Sequence, residues 1–232
     1  MARSVFSHWW DAVKPPPAVT RPGTVKKEFT ARQKRLLYST AAVLLAGGAG
    51  WAAYAYVASA PQRADKEYQA GMTLMATGKY QDAIAEFTRA VGIWPQHAGA
   101  YLERGVSRRY LNQNDLALAD FDQAVQLNPS LARAYTARGF IYRERGDVQG
   151  ALAQFSKSIE VSPNVDAYFE RGQTYENLGE HQKAIDDYNS AIHELPNAPY
   201  VYRARSLSRR ELGDQAGFEA DQQMAASLEH RH

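Results

Sequence analysis

No cysteine occurs in the 232 residues, which excludes a disulfide framework and any thiolate metal site. No Gly-rich loop follows a strand pattern, so no phosphate cradle is expected. The six histidines, His8, His97, His181, His193, His230 and His232, make no spaced ligand pair on a core helix face, and His230-Arg231-His232 reads as a frayed terminus. Carboxylate pairs such as Asp186-Asp187 read as solvated charge. No nucleophile, base and orienting group can be assembled, so neither an enzyme nor a cofactor or metal is expected.

One absence is local. From Leu36 to Ala60 there are twenty-five residues without Asp, Glu, Lys, Arg, His, Asn or Gln. A helix of that length spans a hydrocarbon core of about 30 Å with some tilt. Tyr38 marks one end, and Trp51, Tyr54 and Tyr56 gather towards the other, as interfacial aromatics do. The net charge of +2 hides a strong asymmetry around this stretch: residues 1–35 hold eight Lys/Arg against two acids, and the part after residue 60 holds nineteen against twenty-three. The bases Lys26, Lys27, Arg32, Lys34 and Arg35 stand just before the span. By the positive-inside rule the amino terminus stays in the cytoplasm and the remainder is delivered across the inner membrane, into the periplasm of a two-membrane bacterium. The rivals are a buried helix of a soluble domain and a cleaved signal peptide ending at Ala58-Ser59-Ala60; the long tail, the long apolar stretch and Pro61 oppose the second. Inside the span Ala42, Ala46 and Gly50 form a small-residue stripe that would let another helix approach closely. The tail, residues 1–35, has no apolar period long enough to fold alone; Phe6, Trp9, Trp10 and Val13 could line a short surface helix before Pro15-Pro16-Pro17 ends it.

Beyond the span the chain is periodic. Gly71, Gly105, Gly139 and Gly172 are spaced by 34, 34 and 33 residues, and Ala83, Ala117, Ala151 and Ala184 keep step with them. So do Phe87, Phe121, Phe155 and Tyr188, and Pro95, Pro129, Pro163 and Pro196. A period near 34 is the mark of a helix-turn-helix solenoid. Glycine in mid-helix costs up to about 1 kcal/mol relative to alanine, so its fourfold recurrence points to an approach too close for a Cβ. The alanines serve the same end on the second helix, the aromatics fill the space between hairpins, and the prolines keep successive helices from fusing. In the third unit Tyr135, Gly139 and Tyr142 share one helical face, Gly146 ends the helix, and Asp147 is placed to cap the next.

These positions, together with Ala90, Ala124, Ser158 and Ala191, resemble the tetratricopeptide repeat family over residues 64–198. The fold class expected is therefore all-α: a solenoid preceded by a single transmembrane helix. Its domains are a basic tail (1–35), a signal anchor (36–60) and a repeat domain (61–232) with units at about 64–97, 98–131, 132–164 and 165–198. A fifth unit, 199–232, opens with Tyr202, Ser206 and Gly213 and then drifts, with Phe218 at the small position and Gln222 at the aromatic one, as a polar cap would.

The resemblance implies a concave face lined by first helices, on which a peptide or partner helix lies. Carrying the groove positions over gives Tyr68, Met72 and Met75; then Leu102, Val106, Arg109 and Tyr110; then Arg133, Thr136, Phe140 and Arg143. Phe169 and Gln173, with Glu176 and Asn177, and finally Arg203, with Leu207 and Arg210, complete the set. A ligand with apolar anchors and at least one acidic group is expected. The family's clamps for chaperone C-terminal carboxylates need Lys and Asn where this chain has Tyr68, Met72, Leu102, Val106, Arg133 and Ala137, so only Arg133 suits that activity. The expectation is a membrane-anchored scaffold or assembly factor that holds a protein, not nucleic acid. A permanent accessory subunit of a membrane complex and a chaperone-like periplasmic adaptor are the alternatives.

Overall fold

The computed structural model describes residues 56–230. The expected span lies outside the described residues up to position 55, as do Ala42, Ala46, Gly50 and the basic tail. Among the described residues no helix is long and apolar enough to cross a membrane.

Ten helices form five antiparallel hairpins among the described residues. They are α1 (Ala60–Ala76), α2 (Tyr80–Ile93), α3 (Ala98–Tyr110), α4 (Asn114–Leu127), α5 (Ala132–Glu144), α6 (Val148–Val161), α7 (Val165–Asn177), α8 (His181–Glu194), α9 (Pro199–Glu211) and α10 (Gln215–Glu229). The first hairpin starts at Ala60, with Pro61 in the first turn where its missing N–H costs nothing.

The turn inside each hairpin is the same device five times. One residue takes a positive φ: Gly78 (73°), Asn112 (57°), Gly146 (78°), Gly179 (73°) and Gly213 (78°). The following amide bonds back to the helix, as in Lys79 N–H to Leu74 O (3.0 Å) and Asp147 N–H to Tyr142 O (2.9 Å). This is the Schellman closure, which asparagine tolerates next best to glycine. Between hairpins the chain is extended at Trp94, Asn128, Ser162 and Leu195, each directly before a proline that disfavours the helical region for it. Side chains then restart helices: Asp147 accepts from Gly150 N–H (2.8 Å), Asn164 from Ala167 N–H (2.9 Å) and Asp214 from Gly217 N–H (2.9 Å).

The core repeats in register. Phe87, Phe121, Phe155 and Tyr188 are fully buried, as are Ala83, Ala117, Ala151 and Ala184. Each ring lies on the glycine of its own hairpin, and a Cβ added at Gly71, Gly105, Gly139 or Gly172 would fall inside 3 Å of ring carbons. In the fifth hairpin, where the sequence drifts, Gln222 donates to Ser206 Oγ at 2.7 Å, a hydrogen bond in place of the ring-on-glycine contact. Ser158, standing where the other units have alanine, is satisfied by Ala132 O (2.9 Å) and the Thr136 hydroxyl (2.8 Å).

A second periodic element is polar. Arg104, Arg171 and Arg205 each fork onto the aspartate sixteen residues later: Asp120 (2.7 Å), Asp187 (2.7 Å) and Asp221 (2.6 Å). The spare nitrogen of each reaches the preceding hairpin, at Thr88, Ser156 and Asn189. Planar guanidinium matches carboxylate in two bonds at once, so one side chain closes its own hairpin and joins it to its neighbour. The third unit has Gln154 in the aspartate's place, and Arg138 turns instead to Asp122 of the preceding hairpin (3.3 Å).

Each odd-numbered helix touches the next odd-numbered one, whereas no even-numbered helix touches another even-numbered one. The odd helices therefore lie on the inside of the curve.

Gly139→Ala is expected to lower stability by about 1–2 kcal/mol, since overpacking exceeds the gain in helix propensity. Gly92→Ala, with nothing near the new methyl, should be neutral or stabilising; urea unfolding of both variants checks the contrast. Asp120 is buried and holds both Arg104 and Arg108 (2.7 Å each), so Asp120→Ala should cost about 3 kcal/mol or more. The exposed Asp115, paired with Arg145, should cost less than about 0.5 kcal/mol in the same measurement.

Candidate functional site

The inside of the curve is built by α1, α3, α5, α7 and α9, whose register brings most of the expected groove residues to one face. Tyr68, Met72, Met75, Val106, Phe169 and Gln173 are half-buried there. Met75 Sδ accepts from Ser107 Oγ at 3.3 Å, tying the first hairpin to the second. Tyr110 is 53% exposed and stacks flat on Tyr80 of α2 (4.5 Å, 7°). Phe140 stands edge-on to Phe155 (6.0 Å, 83°). Phe169 meets Tyr200 edge to face (4.9 Å, 87°).

Two expected contact positions are not on the free face. Leu102 is buried in the cluster with Ala117, Phe121 and Ile141. Thr136 is buried with its hydroxyl on Ser158. Both lie on the side of their helix that meets the stack, so neither presents surface to a ligand.

The arginines are also placed differently from the expectation. Arg109 pairs with Glu144 (2.9 Å), Arg133 with Glu103 (2.5 Å) and Arg143 with Glu170 (2.6 Å), each bridging neighbouring odd helices. Arg203 pairs with Glu229 of the last helix. Arg109 lies 4.7 Å from the Phe140 ring centre and 5.6 Å from that of Tyr110, and Arg143 lies 5.4 Å from Phe140. The face thus carries a ladder of guanidinium groups closed by the protein's own carboxylates, two of them, Arg109 and Arg143, laid on aromatic rings. Any acid on a ligand would compete with these internal partners.

The residues the sequence reading missed are those carboxylates, with Tyr80 and Tyr200. The pairs are 35, 30 and 27 residues apart, out of phase with the 34-residue alignment. Position-by-position comparison of the units therefore gives no signal for them.

The environment shifts several groups. Burial raises the Glu170 carboxyl, with Arg143 opposing. Burial also raises the Tyr188 phenol, whose O–H donates to Glu176 Oε2 at 2.6 Å. His97 sits against Tyr68 (4.8 Å) and Trp94 (5.5 Å) at one end of the face, and its Nδ1 accepts from Ala100 N–H at 3.1 Å, capping α3. Burial holds its pKa below the ordinary 6.5, against an opposing pull from Asp65. Among the described residues no group of three or more His, Asp or Glu could hold a metal.

A stack of hairpins with a face of first helices defines a helical-repeat protein of the kind that presents a groove. The family model described as Tetratricopeptide repeat matches residues 68–132, 102–163 and 137–199, more than half of the chain, and the chain belongs to that family. Solved structures share the fold. MamA superposes with a TM-score of 0.60 at 22% identity over 69% of this chain and 95% of that one. PilW, described as a widely conserved type IV pilus biogenesis factor, gives 0.65 at 20% over 73% and 79%. The pilF protein of Pseudomonas aeruginosa gives 0.69 at 15% over 73% and 78%. A search of curated proteins gives no match.

The His97 cap makes a pH prediction. Its folded-state pKa is below the unfolded one, so the unfolded chain takes up the proton first. The stability this residue contributes is whole above about pH 6.5 and is lost as pH falls towards the folded value. Between pH 7 and 5 the wild type should lose more stability than His97→Asn, whose amide caps at every pH; equilibrium unfolding at the two pH values reads the difference, and equal losses would contradict it.

Proposed function

We propose that this protein is a membrane-anchored, non-catalytic scaffold that holds a segment of a protein partner on its concave face and recruits it to a membrane complex. The observation that carries the binding half is the set of large apolar side chains left open on the odd helices. Tyr110 is 53%, Tyr200 41% and Leu207 39% exposed, although the stack has its core filled without them. Large apolar side chains held open in this way mark a contact surface. Its anchors are aromatic, the residue type that dominates interface energetics. Because the groove arginines already face internal carboxylates, the proposal places the binding energy in these apolar anchors.

Support for the membrane half comes from residues 36–60, uncharged and preceded by five bases. An anchored repeat domain beyond the inner membrane raises the partner's local concentration beside the bilayer. The fold is one that the pilus biogenesis factor PilW also uses. One observation favours a second reading: Ala42, Ala46 and Gly50 offer a small-residue stripe inside the span, which suits a permanent subunit packed through its membrane helix.

Crosslinking and pull-down from solubilised membranes separates the two. With the full chain, Tyr110→Ala combined with Phe140→Ala should lose the captured partner by tenfold or so, while Ala46→Leu retains it. Loss only on Ala46→Leu assigns the interaction to the span, and retention in every variant overturns the groove.

A further inference from the structure

The inner face is not electrically uniform. On α3 and α5 the inner-face arginines Arg109, Arg133 and Arg143 each meet a carboxylate from a neighbouring odd helix, and the Phe140 ring has a cation on it from both Arg109 and Arg143. The helix α7 breaks this pattern. It carries Asp166, Glu170 and Glu176 but a single base, Arg171, which is turned into the stack towards Asp187 and Ser156. Asp166 is exposed and has no ion pair or hydrogen bond from a side chain among the described residues. Glu176 takes the Tyr188 phenol, and Glu170 takes Arg143. Beside Asp166 and Glu170 stand Phe169 and Tyr200, in edge-to-face contact, with no cation on either ring among the described residues. Asp166 and Glu170 both lie close enough to act electrostatically on the Tyr200 phenol. The nearby bases of α9 are taken: Arg203 by Glu229, and Arg210 by Glu211 and the Phe218 ring.

We propose that this end of the groove, Phe169 and Tyr200 with Asp166 and Glu170, receives a lysine or arginine side chain of the partner segment. The proposal rests on the groove reading and names the chemistry of the group that lies there. A cation is drawn by the ring faces and again by the carboxylates. An acidic side chain would face the unpaired Asp166, and an apolar one would desolvate it without compensation. The protein builds the same arrangement from its own residues one hairpin earlier, where Arg109 lies on Phe140 and ends on Glu144. At Phe169 and Tyr200 the rings carry no cation and Asp166 has no ion pair among the described residues, while Arg143 is held by Glu170, so a cation there is left for the ligand to supply.

The full-length protein in detergent micelles is titrated with fluorescein-labelled peptides of about twelve residues, capped at both ends, with paired leucines flanking one central position. That position is Arg, Gln or Glu. Fluorescence anisotropy should rank the Arg peptide above the Gln peptide by roughly fivefold or more and the Glu peptide last, with the gap narrowing in high salt. Asp166→Asn combined with Tyr200→Leu, both at exposed positions, should erase the Arg–Gln gap. Equal affinity for Arg and Gln, preference for Glu, no binding by any peptide, or a gap that survives in the double variant overturns the subsite. Those results leave the groove reading intact as long as the Tyr110 and Phe140 variant still loses its partner; if that variant keeps its partner, the groove itself falls.

Discussion

An aromatic ring on the second helix of each hairpin lies where the first helix has no Cβ, and the rest of the structure depends on this contact. It fixes how near the two helices come and in which register. Because the contact recurs at Gly71, Gly105, Gly139 and Gly172, the hairpins are near copies that stack with a constant offset, as repeat arrays do. The odd helices then pack along the inside of the curve, and a continuous face results without any residue having to be placed for it individually. The cap is the exception that supports the account. There the contact becomes a hydrogen bond between Gln222 and Ser206, a more polar join where the array meets solvent.

Charge is organised on two levels. Buried Arg–Asp forks in the second, fourth and fifth hairpins bind those units to themselves and to the one before. On the inner face a second set of arginines, Arg109, Arg133 and Arg143, runs between odd helices and ends on glutamates. Buried ion pairs contribute little net stability compared with apolar packing, but a broken one leaves an uncompensated charge and is costly. Their effect here is therefore to specify the register of neighbouring hairpins. The face they leave is nearly neutral over α3 and α5 and anionic over α7, so a ligand running along it meets two different electrostatic environments.

Most of the fold was legible because its signals repeat. The glycines, the prolines and the capping Asp147 each do in space what their spacing announced, whereas the aromatics, expected between hairpins, lie on the glycine of their own hairpin. Asn112, which the sequence marks only as a helix end, holds the positive-φ position that glycine fills elsewhere. The site was less legible, for two physical reasons. First, groove positions sit at the border between stack and solvent, where small differences in side-chain packing decide exposure; Leu102 and Thr136 fell inward and Tyr110 outward. Second, ion pairs between units join residues such as Arg143 and Glu170, 27 positions apart, and no alignment of repeats places them side by side. The stacking of Tyr80 on Tyr110 was hidden in the same way, since Tyr80 belongs to a second helix.

The ring-on-glycine contact can be observed directly. In the full-length protein labelled at glycine, the Hα resonances of Gly71, Gly105, Gly139 and Gly172 should be displaced from the helical glycine range by the ring currents of their partners. Replacing Phe155 with leucine should return Gly139 alone to that range. Ordinary shifts at all four glycines in the wild type, or no response of Gly139 to the loss of the Phe155 ring, would contradict the account.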